Sequence, residues 1–89
     1  MPTVSFTPAL QRFLRVPELR VEGATVGAAL AAAFAERPEL RGYILDDQGG
    51  LRRHVNVYIG SEPVRDRAGL SDALHPDDAL YVFQALTGG

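Results

Sequence analysis

The sequence predicts an α+β domain in which one main helix, spanning about 26–37, packs across a mixed sheet of about five strands. Three observations lead to this prediction. An alanine-rich segment with helical periodicity follows two alternating segments and precedes three more, which gives the order β-β-α-β-β-β. The chain has 89 residues, the length of one small domain, and its 46% hydrophobic and 22% charged residues are typical of globular proteins.

Two segments ahead of the helix have the alternation of half-buried strands. Residues 3–7 alternate polar and apolar side chains, with Val4 and Phe6 facing the predicted core. Residues 10–17 connect this strand to a second alternating segment, 19–22. Two strands this close in sequence predict an antiparallel hairpin with a long loop.

The helix has the strongest sequence signal of any element. Thr25 is suited to the N-cap, because its hydroxyl can accept a hydrogen bond from a free N–H of the first turn. Alanine, the best helix former, dominates 26–37, and Pro38 ends the segment. One apolar stripe is predicted along the helix, formed by Val26, Ala29, Leu30, Ala33 and Phe34.

Short strands and turns are predicted for the rest of the chain. The strands are 54–59, 62–64 at a sheet edge, and 79–83. The turns are 46–50, 60–61 and 77–78. Residues 40–45 fit either a helical turn or an extended segment, and 70–74 predict one short helical turn. If the helix covers one face of the sheet, the first and last strands must meet near its middle.

Composition excludes several classes of function. A net charge of −2 gives no reason to expect a nucleic-acid partner, which needs a basic face. No apolar segment reaches membrane-spanning length and the first residues lack the features of a signal peptide, so we expect a cytoplasmic protein with no membrane partner. Cysteine is absent, which excludes disulfides and thiolate metal sites. All nine basic residues are arginine, so no side chain carries an amine. A genomic bias towards arginine and alanine is the alternative explanation of this composition.

The titratable side chains form no catalytic pattern. His54 and His75 lack the spacing of metal ligands, and we interpret each as a solvated or capping histidine. The aspartate pairs at 46–47 and 77–78 lie in predicted turns, where aspartate bonds to the local backbone. We therefore expect no catalytic residue, no metal site and no enzyme activity of the chain itself.

The last strand predicts a docking surface. Alternation puts Leu80 and Val82 on one face, and Tyr81 and Phe83 on the other, beside Tyr58 of a neighbouring strand. If the helix covers the first pair, the three aromatic side chains lie on the open face of the sheet, where a partner would contact them. The alternative is a sheet face that other parts of the chain partly cover.

Leu86, Thr87, Gly88 and Gly89 end the sequence. Ordering a glycine costs more backbone entropy than ordering any other residue. Gly88 and Gly89 lie where no turn, bulge or helix cap is expected. We therefore predict a folded domain over 1–84 and a flexible tail over 85–89 that is ordered when a partner binds it. The alternative is a frayed terminus that happens to end in glycine.

These features together resemble a known family. The element order, the Asp77-Asp78 turn, the closing strand and the terminal Gly88-Gly89 resemble the β-grasp fold of ubiquitin-like proteins. More narrowly, the chain is similar to the prokaryotic sulfur carriers of the MoaD/ThiS family. The resemblance is most specific over 51–59, 64–65, 69–70 and the terminal glycines, and there it is closest to the longer carriers that supply sulfur for cysteine biosynthesis. Residues 83–87 depart from the family, because many relatives have a proline-containing run there, and this leaves the choice of partner open.

The resemblance implies a mechanism. A ThiF/MoeB-like partner enzyme would use ATP and magnesium to convert the Gly89 carboxylate into an acyl-adenylate, and sulfur would then replace the adenylate. The resulting thiocarboxylate would donate sulfur to a biosynthetic enzyme. The resemblance further implies that Leu86, Thr87 and Gly88 form the tail that enters the partners. From strand alternation alone, we expect Tyr58, Tyr81 and Phe83 to dock the domain. No cofactor would be bound, and the free protein would be a monomer.

Two other functions remain open on the sequence. The first is a ubiquitin-like modifier whose Gly89 is joined to lysines of target proteins, since it would use the same tail and the same activation. The second is a β-grasp interaction module with an inert tail. Cysteine, molybdopterin, thiamin and tRNA are all open as destinations of the sulfur.

Overall fold

The structure, a computed structural model, describes residues 1–6 and 18–84. The strands are β1 (Thr3–Phe6), β2 (Leu19–Arg20), β3 (Val55–Ile59), β4 (Glu62–Pro63) and β5 (Ala79–Gln84). The helices are α1 (Val26–Glu36), a 3₁₀ helix (Pro38–Leu40) and α2 (Arg41–Ile44). The predicted order of strands and main helix is confirmed, and 40–45, which the sequence left undecided, is mostly helical.

The five strands form one mixed sheet in the order β2-β1-β5-β3-β4. β1 and β5 run parallel at its centre, with Thr3 opposite Ala79 and Phe6 opposite Val82, while all other neighbours are antiparallel. The predicted meeting of the first and last strands is therefore confirmed, as is the hairpin between β1 and β2. β4 lies at an edge of the sheet, where Pro63, which pairs with Tyr58 but has no N–H to donate, is tolerated.

Helix α1 packs on one face of this sheet and forms the core with it. The Thr25 hydroxyl accepts a hydrogen bond from the Ala28 N–H at 3.1 Å, so the predicted N-cap is confirmed. All five residues of the predicted stripe are buried. The sheet contributes buried side chains from three strands, namely Val4, Phe6, Val55, Val57, Leu80 and Val82. Burial of these two apolar surfaces against each other is the main force that holds the domain together.

The helix ends at Glu36, one residue before the predicted end. Arg37 has left the helical region with φ −134° and ψ 77°, although its N–H still donates to the Ala33 carbonyl at 2.9 Å. Pro38 follows, and a residue before proline is driven away from helical backbone angles. Pro38 then begins the 3₁₀ helix.

The predicted helical turn at 70–74 is wrong. Leu70 has a positive φ of 55°, and its carbonyl accepts a hydrogen bond from the Gly27 N–H at 2.8 Å. The Asp72 carbonyl accepts from the Val26 N–H at 2.9 Å. The first N–H groups of a helix have no partner within it, and here the 70–74 segment satisfies two of them. The segment is not helical, because its backbone groups bond to Ala24, Val26 and Gly27 at the start of α1.

Four other boundaries differ from the sequence predictions. β5 continues to Gln84, one residue beyond its predicted end. β2 covers only Leu19–Arg20 of the predicted 19–22, and β4 covers only Glu62–Pro63 of the predicted 62–64. β3 begins at Val55 and not at residue 54, because the Val55 N–H closes a tight turn onto the Arg52 carbonyl at 3.0 Å. Thr7 and the predicted connection 10–17 lie outside the described residues.

The turns at 46–50 and 77–78 are confirmed. One carboxylate oxygen of Asp46 accepts hydrogen bonds from the N–H groups of Gln48 and Gly50, at 2.9 and 3.1 Å. A carboxylate oxygen of Asp78 accepts from the His75 N–H at 2.8 Å. Over 1–6 and 18–84, none of the helices has the length and apolar character that crossing a membrane requires.

Candidate functional site

The face of the sheet opposite α1 is the candidate docking site, and we call it the open face. Alternation along β5 turns Leu80 and Val82 into the core and leaves Tyr81 and Phe83 on the open face. The register puts Ser5 and Tyr58 on either side of Tyr81, and Asn56 opposite Phe83. These strand residues of the open face all flank the end of β5, from which the tail continues.

Exposed aromatic surface distinguishes the open face. Tyr81 is 41% exposed and Phe83 is 38% exposed, whereas Val82 between them on the strand is buried. The Tyr58 and Phe83 rings meet edge to face, with centroids 5.3 Å apart and planes at 84°. Large exposed aromatic side chains are typical of contact surfaces. The predicted grouping of Tyr58, Tyr81 and Phe83 is confirmed as geometry, while their role in docking stays a prediction.

Arg67 supports one side of the open face, and sequence reasoning missed it. Its guanidinium donates hydrogen bonds to the carbonyls of Arg52 and Val55, at 2.9 and 2.6 Å. A third bond goes to the side-chain oxygen of Asn56 at 3.1 Å. Arg67 thereby joins the loop after β4 to the start of β3, beside the strand position opposite Phe83. No local sequence pattern predicts these three hydrogen bonds, because the partners of Arg67 are 11 or more residues away in sequence.

Two carboxylates organise the loop that carries Arg67. Asp66 accepts hydrogen bonds from the Ser71 hydroxyl at 2.6 Å and from the Gly69 N–H at 2.8 Å, and these bonds lower the pKa of its carboxyl group. Asp72 accepts from the N–H groups of Arg65 and Asp66, both at 2.9 Å, which lowers its pKa in the same way. A lowered pKa is the opposite of what a general acid at neutral pH needs. Both carboxylates therefore serve the loop conformation.

The histidines and aspartates do not form a reactive cluster in the part of the chain that the structure describes. No group of three or more metal-ligating side chains lies together within 1–6 and 18–84. His75 is exposed, and its backbone N–H bonds to Asp78 across the turn. His54 is half-buried in the turn before β3.

The tail residues Leu86, Thr87, Gly88 and Gly89 lie outside the described residues. The described chain leads up to them through Gln84, which lies opposite Val55 at one end of the sheet. The five residues that follow can extend by at most about 17 Å from this point.

The sequence and the fold both match known proteins. The profile of the ThiS family matches residues 10–89. Small archaeal modifier protein 3 of Haloferax volcanii is 37% identical over 68 residues, which are 76% of this chain and 73% of that protein. Sulfur carrier protein CysO of Mycobacterium tuberculosis is 32% identical over 69 residues, 75% of this chain and 74% of that protein. A chain in the crystal structure of the Amycolatopsis orientalis BexX/CysO complex superposes with a TM-score of 0.84 at 26% identity, covering 100% of both chains.

Proposed function

Because the chain belongs to the ThiS family and has the β-grasp fold of its solved neighbours, we propose that it is a sulfur carrier whose reactive group is the Gly89 carboxylate. A ThiF/MoeB-like partner enzyme adenylates this carboxylate with ATP and magnesium. Sulfur then replaces the adenylate, and Gly89 carries a thiocarboxylate to a biosynthetic enzyme. The destination is cysteine, molybdopterin or a related product, and the similarity to sulfur carrier protein CysO favours cysteine.

The observation that carries this proposal is the exposed aromatic group at the end of β5. Tyr81 and Phe83 are exposed on the strand that continues directly into the terminal glycines. A partner that binds these rings also fixes the position at which the tail begins. The length of the tail then limits how far from the rings Gly89 can react. Gly88 and Gly89 have no Cβ atoms, which lets the tail enter a channel too narrow for other residues.

The proposed adenylation and sulfur transfer require no catalytic side chain of the carrier. A carboxylate is a poor electrophile, so the carboxylate oxygen first attacks the α-phosphorus of ATP and pyrophosphate leaves. A sulfur nucleophile then forms a bond to the acyl carbon, and AMP departs with the electron pair of the broken bond. The binding energy of the domain on the partner serves to position Gly89 for both steps.

Intact mass measurement of the purified protein tests the proposal. The protein is incubated with a ThiF/MoeB-like enzyme, ATP, magnesium and a sulfur source. We expect a mass gain equal to one oxygen-for-sulfur exchange, and no gain in a variant that lacks Gly89. If neither exchange nor transfer to another protein occurs with several such enzymes, the proposal is wrong and the inert interaction module takes its place.

The docking role of the open face has a test of its own. Phe83→Asp inserts a charge into the aromatic group and should slow activation at least tenfold, since the contact it removes orients the tail. Tyr43→Asp is the matched control, because Tyr43 is 42% exposed and lies on α2, away from the sheet face. Equal activation kinetics of the two variants would remove Phe83 from the docking surface.

A ubiquitin-like modifier is the second candidate function. What favours it is the similarity to small archaeal modifier protein 3, which covers as much of this chain as the similarity to CysO does. Gly89 would then form an amide with lysines of target proteins. A tagged copy expressed in its host should give higher-mass adducts that are lost when Gly89 is deleted, and their absence would argue against this function.

A further inference from the structure

The chain carries no side-chain amine. All nine of its basic residues are arginine, at positions 12, 15, 20, 37, 41, 52, 53, 65 and 67. A guanidinium group keeps its proton at any physiological pH and is therefore not a nucleophile. An activated Gly89 consequently meets no lysine on its own surface or on the surface of a second copy.

The α-amine of Met1 lies at the end of the sheet where β5 begins, opposite to the end from which the tail continues. β1 runs parallel to β5, and Thr3 lies opposite Ala79, so Met1 lies beyond the start of β5. From the level of Met1 to Gln84 the strands rise by about 23 Å. The tail beyond Gln84 reaches only about 17 Å. The parallel pairing at the centre of the sheet therefore keeps the activated carboxyl away from the amine of the same molecule.

We propose that the chain is built to be inert toward its own activated terminus. This inference rests on the proposed activation of Gly89 and adds a specificity to it. The nucleophile that captures the acyl group, whether sulfur or an amine of another protein, must come from a partner. If the protein is attached to a target lysine, no side chain of the attached copy can accept a further copy, so a chain of copies could be linked only through Met1.

The reaction that the chain avoids is the formation of an amide between an amine and the activated Gly89. An unprotonated amine nitrogen forms a bond to the Gly89 acyl carbon, the bond from that carbon to the leaving oxygen breaks, and the leaving group departs with the electron pair. The nitrogen then gives its extra proton to water. Hydroxyl and imidazole groups give esters and acyl-imidazoles, which hydrolyse back to the carboxylate, whereas an amide persists and removes the carrier permanently.

A chemically prepared active ester tests the inference without any partner enzyme. The Gly89 thioester, obtained by intein cleavage, is converted to its hydroxysuccinimide ester and incubated at pH 8 and low concentration. The wild type is compared with Arg53→Lys and Arg20→Lys, both at exposed positions and both conserving charge. Arg53 is two residues from Val55, the partner of Gln84, and therefore lies within reach of the tail. Arg20 lies level with Ala79, about 19 Å from Gln84.

The products are read by intact mass and peptide mapping. We expect the wild type to hydrolyse, Arg53→Lys to form an internal ring lighter by one water than the hydrolysed protein, and Arg20→Lys to form several-fold less ring. At high concentration, wild-type dimers should be linked only through Met1. A ring in the wild type, a wild-type dimer linked through a side chain, or hydrolysis of Arg53→Lys without ring formation would overturn the inference. Because the ester is made chemically, none of these outcomes depends on whether a partner enzyme activates Gly89.

Discussion

The two faces of β5 differ strongly in how much of their side chains is exposed. Leu80 and Val82 are 0% and 1% exposed under α1, whereas Tyr81 and Phe83, which alternate with them, are 41% and 38% exposed. Both pairs are large and apolar, so hydrophobicity alone does not separate them. What separates them is that a helix covers one face, whereas no helix or strand among residues 1–6 and 18–84 covers the other. We infer that the covered face provides stability and that the open face provides recognition.

The largest effect should follow from a cavity on the covered face. Leu80→Ala removes a fully buried side chain from the central strand and should lower the free energy of unfolding by about 3 kcal/mol. Denaturation by urea measures this change. Tyr81→Ala, one residue along the same strand, is the control and should cost much less. Equal losses for the two variants would mean that the open face is also part of the core.

The contrast between the faces could be predicted from sequence because it depends on local alternation. Residues two apart on a strand share a face, so Tyr81 and Phe83 were grouped without knowledge of the fold. The stripe of α1 was predicted for the same reason, since helical periodicity needs only a few neighbouring residues. The meeting of β1 and β5 near the middle of the sheet followed from the single helix and the need to cover one face, whereas their parallel direction is a finding of the structure.

The failures concern bonds between residues far apart in sequence. Segment 70–74 has the composition of a helical turn, but its carbonyls bond to the N–H groups of Val26 and Gly27, more than 40 residues earlier. The bonds of Arg67 to the start of β3 left no local signal either. Tertiary hydrogen bonds of this kind override weak local propensities. The flexible tail was predicted from composition alone, and its flexibility stays a prediction.

A smaller effect is expected from the cap of the covering helix. Thr25→Ala removes the hydroxyl that accepts from the Ala28 N–H and should lower stability by about 1 kcal/mol. Thr25→Ser keeps the hydroxyl and is the matched control. Thermal unfolding of both variants measures the difference. A loss in the serine variant as large as in the alanine variant would show that packing of the threonine methyl, and not the cap, is responsible.

Acid should weaken the loop that supports the open face. The pKa values of Asp66 and Asp72 lie below their ordinary value of 3.8, because each carboxylate accepts hydrogen bonds in the folded state. Groups with lowered pKa stabilise the fold above their unfolded pKa, and this contribution is lost as the pH falls through the folded values. Stability should therefore decrease below about pH 4. Asp72→Asn should reduce this decrease, whereas Asp47→Asn, an exposed carboxylate in another turn, should leave it unchanged.

The smallest expected effect is the coupling between the rings of Tyr58 and Phe83. Their edge-to-face contact, at 5.3 Å between centroids, lies on the exposed side of the sheet and should contribute about 0.5 kcal/mol. A double-mutant cycle of Tyr58→Ala and Phe83→Ala measures this coupling free energy from unfolding curves. The same cycle applied to activation kinetics should give a larger coupling, because a partner that contacts both rings depends on their mutual orientation. If the coupling free energy is larger in unfolding than in activation, the aromatic pair serves to stabilise the fold, and the open face is not the recognition surface.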